Sequence, residues 1–217
     1  MNKDVRRARP VFWLVCVWGW WFQVGLAVAA EGHGEYFPLA VGNRWVYESS
    51  EGSETAPALE SWEILRKEGR GFVVRIKQPF ITFDGVEERL DPVSGGVSRR
   101  VRSATSSLTQ VLLKPPFTVG AQWQEADGGR SAVTAVGETV TTPAGTFADC
   151  VEITRRRKGS QTIVVSTYAP GVGMVQREET FSVIYGGVGG DLSIPAKGRV
   201  VLRLKEWKIR KMAPTLP

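Results

Sequence analysis

From residue 36 onward, apolar and polar side chains alternate with a period of two in run after run. Trp45, Tyr47 and Ser49 alternate with Val46, Glu48 and Ser50. Phe72, Val74 and Ile76 alternate with Val73, Arg75 and Lys77. Successive side chains of a strand point to opposite faces, so the pattern predicts strands with one buried and one wetter face, as in antiparallel sheets. After a first strand near 45–50, strands are expected at 59–66, 71–78, 97–102, 108–114, 121–126, 131–142, 147–156, 161–168, 174–184 and 198–210. Residues 80–90 read as a hairpin turning at Asp84-Gly85. Turns are expected at 91–96, 143–146, 158–159 and 169–173, and the glycine cluster at 186–190 reads as a loop. Pro115-Pro116 ends the strand before it, because proline cannot donate to a ladder. A single short helix is expected near 103–109. The predicted class is all-β: a curved antiparallel sheet or open barrel with few or no long helices.

Two four-residue skeletons recur at one spacing. Pro38, Val41, Gly42 and Trp45 return as Pro116, Val119, Gly120 and Trp123, 78 residues later. Pro92, Gly95, Val97 and Arg99 return as Pro170, Gly173, Val175 and Arg177, again 78 residues later. One shared offset without insertion predicts a duplicated module, 36–113 and 114–191, followed by a final strand region at 197–210 and a tail at 211–217. Joining the two modules edge to edge would give one continuous sheet and remove exposed edges. Each glycine permits a backbone turn closed to other residues, and Trp45 and Trp123 are expected as equivalent core anchors. Arg99 and Arg177 read first as architecture, with anion binding as the alternative.

The first thirty residues stand apart. Lys3, Arg6, Arg7 and Arg9 precede an apolar run from Val11 to Ala30 that ends in small residues. This is the layout of a secretory signal, with cleavage after Ala29 or Ala30. An uncleaved membrane anchor is the alternative, since about 20 apolar residues can span a bilayer. Residues 31–35 form a short polar leader. The address is therefore periplasmic or extracellular. Removing the signal also changes the charge. The chain carries 28 basic and 22 acidic residues. Four of those bases and one of those acids lie in residues 1–30, leaving 24 against 21, so the net charge falls from +6 to +3. Such a balance does not argue for nucleic acid.

Candidate chemistry is sparse. His33, the one histidine, lies in the leader, so a Ser-His-Asp or Cys-His system has no base in the predicted domain. No metal-ligand spacing is present, and no cofactor is implied. Cys16 leaves with the signal, and Cys150 reads as a small hydrophobe on a strand. Glu87-Glu88 and Glu178-Glu179 are adjacent pairs on strands, with side chains on opposite faces and solvated. Residues 155–158, Arg-Arg-Arg-Lys, read as a solvated basic hairpin tip, with anionic lipid headgroups as the functional alternative.

Three motifs, F-P-L-x-V-G-N-x-W-x-Y at 37–47, P-A-G-T-F-x-x-C-V-x-I at 143–153 and Y-x-P-G-V-G-M-V at 168–175, resemble a group of uncharacterised exported bacterial β proteins. The resemblance spans most of the chain after the signal and implies no activity. More loosely, an exported duplicated sheet is similar to the lipoprotein-carrier half-barrels, which hold acyl chains in a concave apolar face. The expectation is a non-catalytic envelope protein that binds a lipid or acyl chain in its concavity. The alternatives are a module docking on another envelope protein through a sheet edge or the basic tip, and an enzyme using carboxylates or Tyr168 assembled across strands. The oligomeric state is open.

Overall fold

The structure, a computed structural model, describes residues 36–51, 57–78, 85–102, 107–186 and 193–210. The expected signal at 1–30, the leader at 31–35, the Asp84 turn position and the tail at 211–217 lie outside the described residues.

The strands are β1 (Arg44–Glu51), β2 (Ala58–Glu68), β3 (Gly71–Lys77), β4 (Val86–Val93), β5 (Gly96–Arg102) and β6 (Ser107–Leu113). There follow β7 (Gln122–Gln124), β8 (Arg130–Thr142), β9 (Gly145–Arg156), β10 (Ile163–Ala169), β11 (Gly173–Gly186) and β12 (Ser193–Lys208). All belong to one sheet in the order β6-β5-β4-β3-β2-β1-β12-β11-β10-β9-β8-β7. Every pairing is antiparallel. Each half is a meander, and β1 against β12 joins them into a curved sheet that does not close into a barrel.

Three local expectations are corrected. Residues 107–109 belong to β6 rather than to a helix. The second arm of the hairpin expected at 80–90 pairs instead with β3 as the start of β4, and residues 79–84 lie outside the described residues. Asp91 and Pro92 pair within β4 opposite Ser98 and Val97, and the turn narrows to Ser94-Gly95. Both turn residues have positive φ, 39° and 79°, which matches the twist of a two-residue hairpin.

The core lies on the concave side. Trp45 and Tyr47 of β1, Trp62 and Ile64 of β2, and Tyr168 of β10 are buried with Phe37 and Leu204. Phe37 packs on Trp45 at 5.2 Å and faces Tyr168 at 6.2 Å between ring centroids. Their polar ends are satisfied. The Trp45 indole donates to the Val172 carbonyl at 2.6 Å, and the Tyr47 hydroxyl to the Met174 carbonyl at 3.1 Å. Each such ring removes a large apolar area from water, worth roughly 1.5–3 kcal/mol.

The two skeleton regions have the same local geometry. Gly42 and Gly120 hold φ of 86° and 91°, where a side chain would be strained. Gly42 N–H donates to the Ile64 carbonyl, and Gly120 N–H to the Val133 carbonyl. Asn43 N–H reaches the Ala40 carbonyl, and Ala121 N–H the Thr118 carbonyl. Asn43 also carries a task its counterpart lacks. Its buried amide donates to the Pro38 carbonyl and accepts from Arg210 N–H, each at 2.8 Å, tying the chain before β1 to the residues after β12.

Candidate functional site

Three strands read at their inward parity build the site. Val97 is buried in β5, Val175 in β11, and Val151 and Ile153 in β9. Those apolar residues fix which face turns inward, and the next residue of the same parity follows. In β5 it is Arg99, in β11 Arg177, in β9 Arg155. In the sheet order, β5 and β6 lie at one end, while β9, β10 and β11 lie past β12 on the other side. Curvature brings these distant strands face to face around a cavity of about 190 Å³. Its polar lining is Arg99, Gln110, Arg155, Arg157, Thr162, Arg177 and Glu179.

Carboxylates hold the guanidinium groups. Arg155 meets Asp127 at 2.6 Å, with Arg157 on the same oxygen at 3.6 Å. Arg177 donates to Glu179 at 2.6 Å. Arg99 lies 3.1 Å from Glu88, stacks over the Trp62 ring at 5.7 Å and donates to Gln110 at 3.4 Å. Arg99 and Arg155 are well buried, with side chains 16% and 12% exposed. Burial pushes the Arg99 guanidinium down from its ordinary value, against the pull of Glu88. Burial also pushes the Glu88 carboxyl up, against Arg99 and Arg177. Arg157 is more than half exposed, so the cavity meets solvent on that side.

Beside the cavity, the apolar part of the interior is occupied. Among the described residues, about 20 Å³ remains in the space that Phe37, Trp62, Leu112, Tyr168 and Met174 line together with Arg99 and Arg177. The concavity expected to hold an acyl chain is filled there by the protein's own rings.

The expected anchors fall in two places. Trp45 and Trp123 are buried in the core. Trp123 donates to the buried Glu125 at 2.9 Å. Arg99 and Arg177 come together at the cavity. Ala29, Ala30 and His33 lie outside the described residues. Cys150 is fully buried, its thiol donates to the Phe147 carbonyl, and burial pushes its pKa up. Tyr168 is a core residue whose hydroxyl pKa burial raises to about 12.

Two expectations about charge are corrected. Arg155 is not a solvated tip residue but a buried wall of the cavity. The inward parity of Val151 and Ile153 was the available signal, masked by the run of four cations. Glu88 is likewise not solvated, with its side chain 10% exposed. Its neighbour Glu87 faces outward to Arg66 and Arg75. Gln110 and Thr162 of the lining had no sequence signal, since nothing marks an isolated amide or hydroxyl on a strand. Among the described residues, no three His, Cys, Asp or Glu side chains converge as a metal site. What the arrangement offers is directed cationic hydrogen-bond donors.

No protein-family model matches the chain, and no curated protein matches it. Two solved structures are similar to it. One is a candidate lipoprotein from Parabacteroides distasonis ATCC 8503, 15% identical over 80% of this chain and 99% of that one, with a TM-score of 0.44. The other is a candidate exported protein with a YmcC-like fold from Bacteroides fragilis NCTC 9343, 13% identical over 81% and 99%, with a TM-score of 0.43. Similarity at this level bears on neither activity nor location.

Proposed function

We propose that this chain is an exported envelope protein that acts by binding, not by catalysis, and takes a small polar or amphiphilic ligand into the cavity inside its curved sheet. The carrying observation is the cavity itself. Distant strands converge on it, and its lining supplies hydrogen-bond donors without a free base beside a nucleophile. Export is supported by the basic head, apolar run and small-residue end of residues 1–30. The filled apolar interior directs the reading toward the polar end of a ligand and away from an enclosed acyl chain. The matched hydrogen bonds at Gly42 and Gly120 favour descent of the two halves from one duplicated module.

Native mass spectrometry of protein purified from envelope fractions tests the binding reading. A ligand mass retained with the folded protein is expected, and ligand-free protein under all gentle conditions speaks against it. N-terminal sequencing of the fractionated protein tests export: a mature end at residue 30 or 31 is expected. A second reading rests on β6 and β7, the end strands of the sheet order, which pair with no further strand among the described residues and where a strand of another envelope protein can add. Pull-down with and without a proline placed in β6 separates it from ligand binding.

A further inference from the structure

Four guanidinium groups reach one cavity, and the carboxylates around them leave part of their donor capacity unused. Arg99 Nε lies 3.1 Å from Glu88 Oε2, but neither atom has a hydrogen-bond partner among the described residues. Arg155 Nε is likewise buried and without an acceptor. One of its terminal nitrogens donates to Asp127. A buried donor without an acceptor is costly, so Arg155 Nε calls for a ligand oxygen, while Arg99 Nε has only its ion pair with Glu88. Glu88, Asp127 and Glu179 stand against Arg99, Arg155, Arg157 and Arg177, three carboxylates for four cations. Glu60 accepts the Trp62 indole proton at 2.6 Å and acts on Arg99 more weakly than Glu88 does.

The direction of the donors narrows the class. A planar carboxylate is served by one guanidinium fork. Here donors arrive from β5, β9 and β11, which surround the cavity. A tetrahedral oxyanion spreads its acceptors in the way such an arrangement needs. The volume of about 190 Å³ suits a phosphoryl group with a few attached atoms and falls short of a drug-sized ligand.

We propose that Arg99, Arg155 and Arg177 form a binding site for a phosphoryl-type oxyanion, carried either by a small phosphate ester or by a lipid headgroup. The inference rests on the reading of the cavity as the ligand site and names the chemistry that this site takes. Arg157 stands at the solvent side and draws the anion in, while Gln110 adds a neutral donor.

Calorimetric titration with inorganic phosphate at constant ionic strength tests it, with acetate as the planar control. Saturable phosphate binding is expected, stronger than acetate. It should weaken at least tenfold in Arg177→Gln and hold in Arg156→Gln, whose residue is exposed beside the cavity wall. Absent phosphate binding, or equal affinity in Arg177→Gln, overturns the proposal. Arg99 packs on Trp62, and its loss can disturb folding, so a measurement on the unaltered protein stands beside the variants. The Nε–H resonances of Arg99 and Arg155 should shift on phosphate titration, and fixed resonances overturn the site. Glycerol 3-phosphate and phosphatidylglycerol vesicles separate the sources. Equal binding assigns a free ester and tighter vesicle binding a headgroup, and either result supports the site. An uncharged ligand retained from the envelope without phosphate binding overturns the oxyanion site and leaves the binding reading standing.

Discussion

Asn43 shows how much one side chain can hold. It is fully buried, and both ends of its amide are used, one toward Pro38 and one toward Arg210. Replacing it with Ala takes the partner from the part-buried Pro38 carbonyl and Arg210 N–H and empties a fully buried site. Asn43→Ala is expected to cost about 2–3 kcal/mol in urea unfolding, whereas Asn43→Asp keeps the acceptor and loses the donor. Trp45 is the larger anchor, and Trp45→Ala should cost about 3–5 kcal/mol through lost burial and the cavity left behind. The buried tyrosines give a pH signature. Burial raises the Tyr47 pKa well above 10 and that of Tyr168 to about 12, so the unfolded chain loses these protons first. Their contribution is fully present below pH 10 and falls as pH rises through 10 toward 12, by about 1.4 kcal/mol per pH unit for each. Stability measured from pH 9 to 12 should drop accordingly, and Tyr168→Phe should flatten the slope. Absorbance at 295 nm should show both rings still protonated in the folded protein as pH passes 10.

Among the elements, the long strands were legible because burial follows the period of two. The alternation of Trp45, Tyr47 and Ser49 predicted β1, and Phe72, Val74 and Ile76 predicted β3. The misses have physical causes. Pro92 suggested a turn, yet its place in β4 lacks only a donor, and the neighbouring pairs carry the strand. The start of β6, Ser107 to Thr109, gave a weak strand signal, but its pairing with Arg100 to Arg102 of β5 overrides that. The site was half legible. Arg99 and Arg177 stood out through the repeat, while Arg155 was hidden in a run of like charges, and Gln110 gave no sign. Glu125 gave none either, although it sits at the open seam between β6 and β7. Its carboxylate accepts from Trp123, Ser131 and the Val111 N–H of β6. Glu125→Leu should free that edge. Hydrogen exchange at Val111 should speed by tenfold or more, while amides of β3 stay protected.

For the whole molecule, the decisive pairing is β1 with β12, because curvature and cavity both depend on two meanders held as one sheet. The chain before β1 and the chain after β12 already touch at Asn43 and Arg210. A permuted chain that links 210 to 36 and opens within 114–121 should therefore fold with near-native far-ultraviolet dichroism. Opening within β1 should not. The same pairing also sets a timetable. Trp45 finds its partner Trp207 only when nearly all of the chain is available. Until then β1 waits with a bare edge carrying Trp45, Val46 and Tyr47, while the strands between can already zip to their neighbours. The stickiest segment is thus the first made and among the last covered. A nascent chain halted before residue 193 should be bound by holding chaperones and clump on release, and the addition of the final strand should end that dependence.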